Sequence, residues 1–194
     1  PQREAIMFAV ITKLLNYARF QLPGSTDGSL NEELFNAVDE FCRRTDGNRF
    51  STPVPLTEDV VEYTITFPAN VVIRVFEIVH KTANVQGAWY DPDDGKLVLS
   101  YPPTALDTQE PLYLNVSLAP KAGADDPDDW MPELLWDRFY QYLLDGVIAK
   151  MAAHIAKPWT NQTKAMFHGR RFHNGIGTIK AQAAVGYAPN AQAW

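Results

Sequence analysis

The sequence predicts an α+β fold: a helical bundle made of two N-terminal and two C-terminal helices, with an antiparallel β-sheet or small barrel inserted between the pairs. Three observations predict it. Apolar residues recur every three to four positions near both ends of the chain. Between those stretches the apolar period falls to two. The alternating segments are joined by short turns, which suits antiparallel rather than crossover pairing.

The first helix is expected over residues 4–20. Met7, Ile11, Leu14, Leu15 and Ala18 form one stripe, and Leu22-Pro23-Gly24 stops it. Ser29-Leu30-Asn31-Glu32 has the pattern of a capping box, in which the serine accepts from an orphan amide and the glutamate reaches back. A second stripe follows through Leu30, Leu34, Val38, Phe41 and Cys42. Arg43 and Arg44 fall in the last turn, where the helix dipole favours cations, and Asp46-Gly47 ends the helix.

Val61, Tyr63, Ile65 and Phe67 alternate with Glu62, Thr64 and Thr66, the pattern of a half-buried strand closed by Pro68. Val71 to Val79 is apolar on both faces except at Arg74 and Glu77, so it reads as a central strand. Trp89-Tyr90, the turn Asp91-Pro92-Asp93-Asp94-Gly95 and Leu97 to Tyr101 read as a hairpin. Leu112, Leu114, Val116 and Leu118 alternate with polar residues in a further strand, and the acidic segment Lys121 to Asp129 serves as a linker.

Helical spacing returns at Pro132, a residue suited to a first turn, with Asp128 or Asp129 near the cap. Leu135, Phe139, Tyr142, Leu143 and Val147 form the stripe. Gly146 interrupts it at a cost of roughly 1 kcal/mol relative to Ala, which implies close approach by another backbone. Lys157-Pro158-Trp159-Thr160 breaks the chain, and Thr160 or Asn161 caps a last helix to about Tyr187. The organisation is therefore residues 1–50 as N-terminal bundle helices, 51–125 as the β insert, and 126–194 as C-terminal helices plus a tail.

Composition fits a globular chain: 194 residues, 46% apolar and 21% charged. No disulfide can form within a chain whose one cysteine is Cys42, and its apolar setting makes it a small core residue. A lone thiol suits a reducing cytoplasm. The opening Pro1-Gln2-Arg3-Glu4 does not read as a signal peptide, and no apolar run is long enough to cross a membrane. The net charge of −6 is unevenly spread. No Asp or Glu follows Asp145, so residues 146–194 carry +6 and residues 1–145 carry −12. Two readings compete: the basic segment packs against the acidic part of its own chain or a neighbour, or it binds nucleic acid.

The patterns of catalytic and metal sites do not emerge. Asp91–Gly95 has glycine at the fifth position of a would-be calcium loop and Pro102 at the twelfth, so it reads as a polar turn. Asp125, Asp126, Asp128 and Asp129 read as solvated or capping carboxylates. His168 and His173 are five apart, not four, and His80 and His154 lie elsewhere. No phosphate-binding glycine loop or nucleophile elbow is present. The aromatics Trp130, Trp136, Phe139, Tyr140 and Tyr142 lie in an acidic segment, so packing is favoured over base stacking. The expectation is a protein that is not an enzyme and needs no cofactor or metal.

A family resemblance runs along residues 10–187. Leu22-Pro23-Gly24, an amphipathic helix and then Glu40-Phe41-Cys42-Arg43-Arg44-Thr45 form its first marker. Glu62-Tyr63 before Phe67-Pro68, followed by Val72-Ile73-Arg74-Val75, forms the second. The third is Gly146-Val147-Ile148-Ala149-Lys150, then Lys157-Pro158-Trp159-Thr160-Asn161, then Ala165 and Phe172. In order and spacing these resemble the head-to-tail adaptor (connector) proteins of tailed bacteriophages, in particular the tail tubular protein A group. The chain departs at Ser25-Thr26, where many relatives have Cys-Pro.

The resemblance implies a structural virion protein in the neck or tail, assembled in the bacterial host cytoplasm. It implies a dodecameric ring between the portal protein and the tail tube or nozzle protein, with genome DNA passing through the lumen without specific binding. It carries over no catalytic residue. Trp159, Lys164, Arg170, Arg171 and Trp194 are the candidate inter-subunit or portal contacts. The alternative is a nucleic-acid-binding module using the basic segment 146–194.

Overall fold

The computed structural model of the chain describes residues 2–67, 69–81, 83–122 and 133–184. Helices α1 (Gln2–Gln21) and α2 (Asp27–Thr45) come first, and α3 (Glu133–Ala152) and α4 (Gln162–Ala184) come last. Between them lie seven strands: β1 (Arg49–Val54), β2 (Glu62–Thr64), β3 (Asn70–His80), β4 (Ala83–Asn84), β5 (Ala88–Asp91), β6 (Lys96–Leu99) and β7 (Leu112–Pro120). The fold is α+β, with two helices, an antiparallel β insert and two helices in that order.

The expected bundle is present. Ile11, Leu14 and Ala18 of α1, Leu30, Leu34, Val38, Phe41 and Cys42 of α2, Leu143, Val147 and Met151 of α3, and Phe172, Ile176 and Ile179 of α4 share one core. Each large apolar side chain buried there contributes roughly 1.5–3 kcal/mol toward holding the four helices together. Burial drives the Cys42 thiol pKa well above its ordinary value, which leaves it a neutral core residue.

Helix α2 begins one turn earlier than the capping box predicted. Thr26, in extended geometry, accepts from Ser29 N through Oγ1 at 3.4 Å, and Asp27 places an acid in the first turn. Ser29 is thus inside the helix, and the Ser29/Glu32 box is not the cap. The far end is as expected: Asp46 is left-handed at φ 53°, with its amide donating to the Cys42 carbonyl.

The insert differs more. It forms two antiparallel sheets, not one sheet or a barrel: β1-β7-β3-β4 and β2-β6-β5. Their facing sides share a second core, with Val54, Ile78, Leu112, Leu114, Val116 and Leu118 from one sheet and Tyr90, Leu97 and Leu99 from the other. The central strand is β7, paired along both edges, while β3 has β7 on one side and only the short β4 on the other. Two register shifts, between Val72 and Arg74 and between Val75 and Glu77, break the period of β3, so its apolar run is half-buried and not enclosed on both faces. The hairpin is as predicted, with Asp91 opposite Lys96 and Asp91 Oδ1 accepting from the Asp93 amide at 2.9 Å.

The sheets do not simply project from the bundle. Helix α2 packs on β7, and Ala119 is buried in the bundle core with Val71 and Ile73 beside it. The glycine at 146 is required by side chains and not by a backbone: a Cβ there would lie 2.9 Å from the Phe172 ring and 3.1 Å from the Ala37 Cβ. Pro132, Asp125, Asp126, Asp128, Asp129, Trp130, Tyr187 and Trp194 lie outside the described residues, as do the side chains of Met7, Leu135 and Trp136.

Candidate functional site

The break between α3 and α4 is built from its own side chains. Ala156 is left-handed at φ 56°, which reverses the chain after α3. Thr160 Oγ1 donates to the His154 carbonyl at 2.6 Å and accepts from the Lys157 amide at 2.9 Å. Asn161, not Thr160, caps α4, accepting from Lys164 N at 2.9 Å.

This loop closes on the turn after α1. A Cβ on Gly24, at φ +86°, would lie 3.3 Å from Pro158 Cβ. Lys164 Nζ donates to the Gln21 carbonyl at 2.6 Å, a cation on the open end of α1. Leu22-Pro23-Gly24 and Lys157-Pro158-Trp159, far apart in sequence, therefore form one joint.

The candidate contact residues separate. Trp159 is 8% exposed and belongs to the bundle core, so within this chain it is a packing residue. Lys164 is half-buried on α1. Arg170 and Arg171 lie on the solvent side of α4, next to Met166 and Phe167, which are 52% and 57% exposed. The Arg171 guanidinium stands 5.7 Å from the Phe167 ring centroid, and its Nε lies 3.1 Å from Oδ2 of buried Asp145. Trp194 lies outside the described residues.

Among the described residues, two of the six Lys and Arg side chains of 146–194, Lys150 and Arg171, pair with acids of their own chain, as do histidines beside them. Lys150 reaches Glu40 at 2.8 Å, His154 reaches Glu33 at 2.7 Å, and His168 reaches Asp145 at 2.6 Å. His80 sits apart from these on β3, with Nε2 3.1 Å from the Asp107 carbonyl oxygen. Among the described residues no three His, Cys, Asp or Glu side chains are grouped to hold a metal ion.

Positive charge is concentrated elsewhere, at the junction of bundle and sheets. A cleft of about 540 Å³ is lined by Arg43, Arg44 and Asp46 from the end of α2, Arg49 from β1, Arg74 from β3, and His173 and Lys180 from α4. Arg43 Nε bonds Asp39 at 2.8 Å, Arg44 Nη1 bonds Glu40 at 2.8 Å, and Arg74 Nη1 bonds Asp46 at 2.5 Å. Arg49 has no carboxylate partner among the described residues and stacks 4.2 Å above the Phe76 ring. Lys180 has no ion-pair partner among the described residues.

Sequence reading missed this cluster. It took Arg43 and Arg44 as helix-dipole partners and Arg74 as an interruption in a strand. The available signal was three arginines within the seven residues 43–49. No protein-family model matches the chain, and no curated protein matches it.

Proposed function

We propose that this chain is a structural virion protein, a head-to-tail adaptor that assembles as a ring between portal and tail tube, with genome DNA passing through the lumen. The observation that carries the reading is the outer face of α4. Met166, Phe167, Arg170 and Arg171 make an exposed apolar and cationic surface on a helix whose other side is fully used in the core. A ring joint is heterologous and needs two different faces. The end of α1 offers a second apolar face, with Tyr17 50% and Phe20 80% exposed. The acidic balance of residues 1–145 complements the cations of α4 across such a joint.

The order of elements supports the same reading, since a helical bundle with a β insertion is what the adaptor resemblance implies. The test is native mass and negative-stain imaging of the protein alone and mixed with the portal ring of the same particle. The expected result is a ring, or a portal carrying a second ring. A mixture that stays as monomer and bare portal removes the proposal.

A further inference from the structure

We propose that the basic cleft at the bundle–sheet junction binds a phosphate group carrying several oxyanions. Five permanent cations line it (Arg43, Arg44, Arg49, Arg74 and Lys180), against one lining carboxylate, Asp46. The carboxylates behind the wall, Asp39 and Glu40, reduce the excess without cancelling it, because Glu40 is shared with Lys150. Like charges drawn from four separate elements repel one another, and a multivalent anion relieves that repulsion at several points at once.

The cations are positioned for a ligand. Arg43 engages Asp39 through Nε, which leaves both terminal nitrogens without a partner among the described residues. Arg44 and Arg74 each engage a carboxylate through Nη1 alone, leaving Nη2. A guanidinium pinned on one edge and open on the other is a fork matched to phosphate oxygens. Arg49 is held by a ring and so keeps its whole hydrogen-bonding edge.

The backbone shows a second, independent sign. The two register shifts in β3 flank Arg74 and set Phe76 out of step with its partner strand. Arg74 reaches Asp46 and Phe76 lies under Arg49, so both side chains serve the cleft. Bulges of this kind re-aim side chains and concentrate near functional sites. The volume, about 540 Å³, suits a small polyphosphate or a short stretch of nucleic-acid backbone.

The test is made on the free chain and does not depend on ring assembly. Sodium tripolyphosphate is titrated by calorimetry and by thermal shift, with sodium sulfate at matched ionic strength as reference. We expect saturable one-to-one binding and a raised Tm with tripolyphosphate beyond that with sulfate. Lys180→Gln, at a side chain with no ion-pair partner among the described residues, should weaken binding severalfold. Arg49→Gln with Lys180→Gln should weaken it by roughly tenfold or more, since a charge-assisted contact is lost at each. Lys96→Gln, on the β5–β6 hairpin, should bind as the parent does.

A duplex oligonucleotide then identifies the source of the phosphate. Competition with tripolyphosphate that is lost in the double variant assigns the site to a phosphodiester backbone. Tripolyphosphate binding without competition assigns it to a free polyphosphate. No saturable binding, a shift equal to that of sulfate, or binding unchanged in both cleft variants overturns the proposal.

Discussion

The ring of Tyr142 on α3 occupies the space that a Cβ on Gly175 of α4 would need; even the ring's Cγ and Cδ1 fall inside contact distance of it. A side chain of α3 lies there on the bare backbone of α4, and the glycine is the condition of that approach. Two residues on, Gly177 has no atom within 4 Å of its would-be Cβ. In a helix interior an alanine normally stabilises by roughly 0.5–1 kcal/mol over glycine. Gly177→Ala should therefore raise stability by about that amount. Gly175→Ala should lower it by about 1–3 kcal/mol, because overpacking displaces a ring anchored near its base. Urea melts of both variants check this; a stabilised Gly175→Ala would show that the ring moves freely.

Glu40 ties α2 to α3. Its Oε2 accepts from Lys150 Nζ and its Oε1 from Arg44 Nη1, each at 2.8 Å. Partial burial works to raise its pKa, but the hydrogen bonds and charges of Lys150 and Arg44 outweigh that and hold it below its ordinary value. A depressed folded-state pKa contributes stability above the unfolded value, and that contribution is lost as pH falls through the folded value. Glu40→Gln should thus cost about 1–2 kcal/mol at neutral pH. The gap from the parent should begin to shrink below about pH 4, where the unfolded glutamate takes its proton, and close as the folded one follows at lower pH. A gap that stays constant down to acid pH would remove the ion-pair account.

Trp159 separates packing from hydrogen bonding. Its side chain is in the bundle core, and its buried Nε1 has no hydrogen-bond partner among the described residues. Trp159→Ala should cost about 3–5 kcal/mol by leaving a cavity, and should impair ring docking through lost order at the α3–α4 joint. Trp159→Phe keeps most of the volume and drops the unpartnered N–H, so it should cost less than half as much. Chemical denaturation of the pair decides: equal losses would mean the indole N–H matters.

The outer face of α4 makes the opposite prediction. Met166→Ser with Phe167→Ser changes exposed side chains, so the free chain should melt within about 0.5 kcal/mol of the parent per site. The same variant should fail to form rings or to load on the portal in native mass spectra. A variant that assembles normally would remove this face from the proposed joint.

The first three helices were legible from their apolar stripes, and the last from the break at Lys157–Thr160, which its proline marks. The start of α2 was misread because Ser29 and Glu32 satisfy a local pattern, whereas Thr26 with Asp27 satisfies the same amides one turn earlier. Strand β1 escaped because Arg49–Val54 has little alternation and contains Pro53; it sits at a sheet edge, where proline is tolerated. The division into two sheets depends on which distant strand β7 selects, and no local period encodes that. Arg170 and Arg171 were named as candidate contacts, but the denser cluster needs the fold to bring Arg74 of β3 and Lys180 of α4 to Arg43, Arg44 and Arg49. The run of arginines at 43–49 signalled only the local part of it.

Strand β7 has a further consequence. Val116 faces the core between the sheets, and Ala119, three residues on, is sealed among the bundle helices. One extended backbone segment is thus a common wall of both compartments. Amide protons from Leu114 to Ala119 should exchange only when the whole molecule opens, because neither compartment can release the strand alone. A push on the sheets therefore reaches the helices through the packing of that strand on α2, and the two compartments share the load.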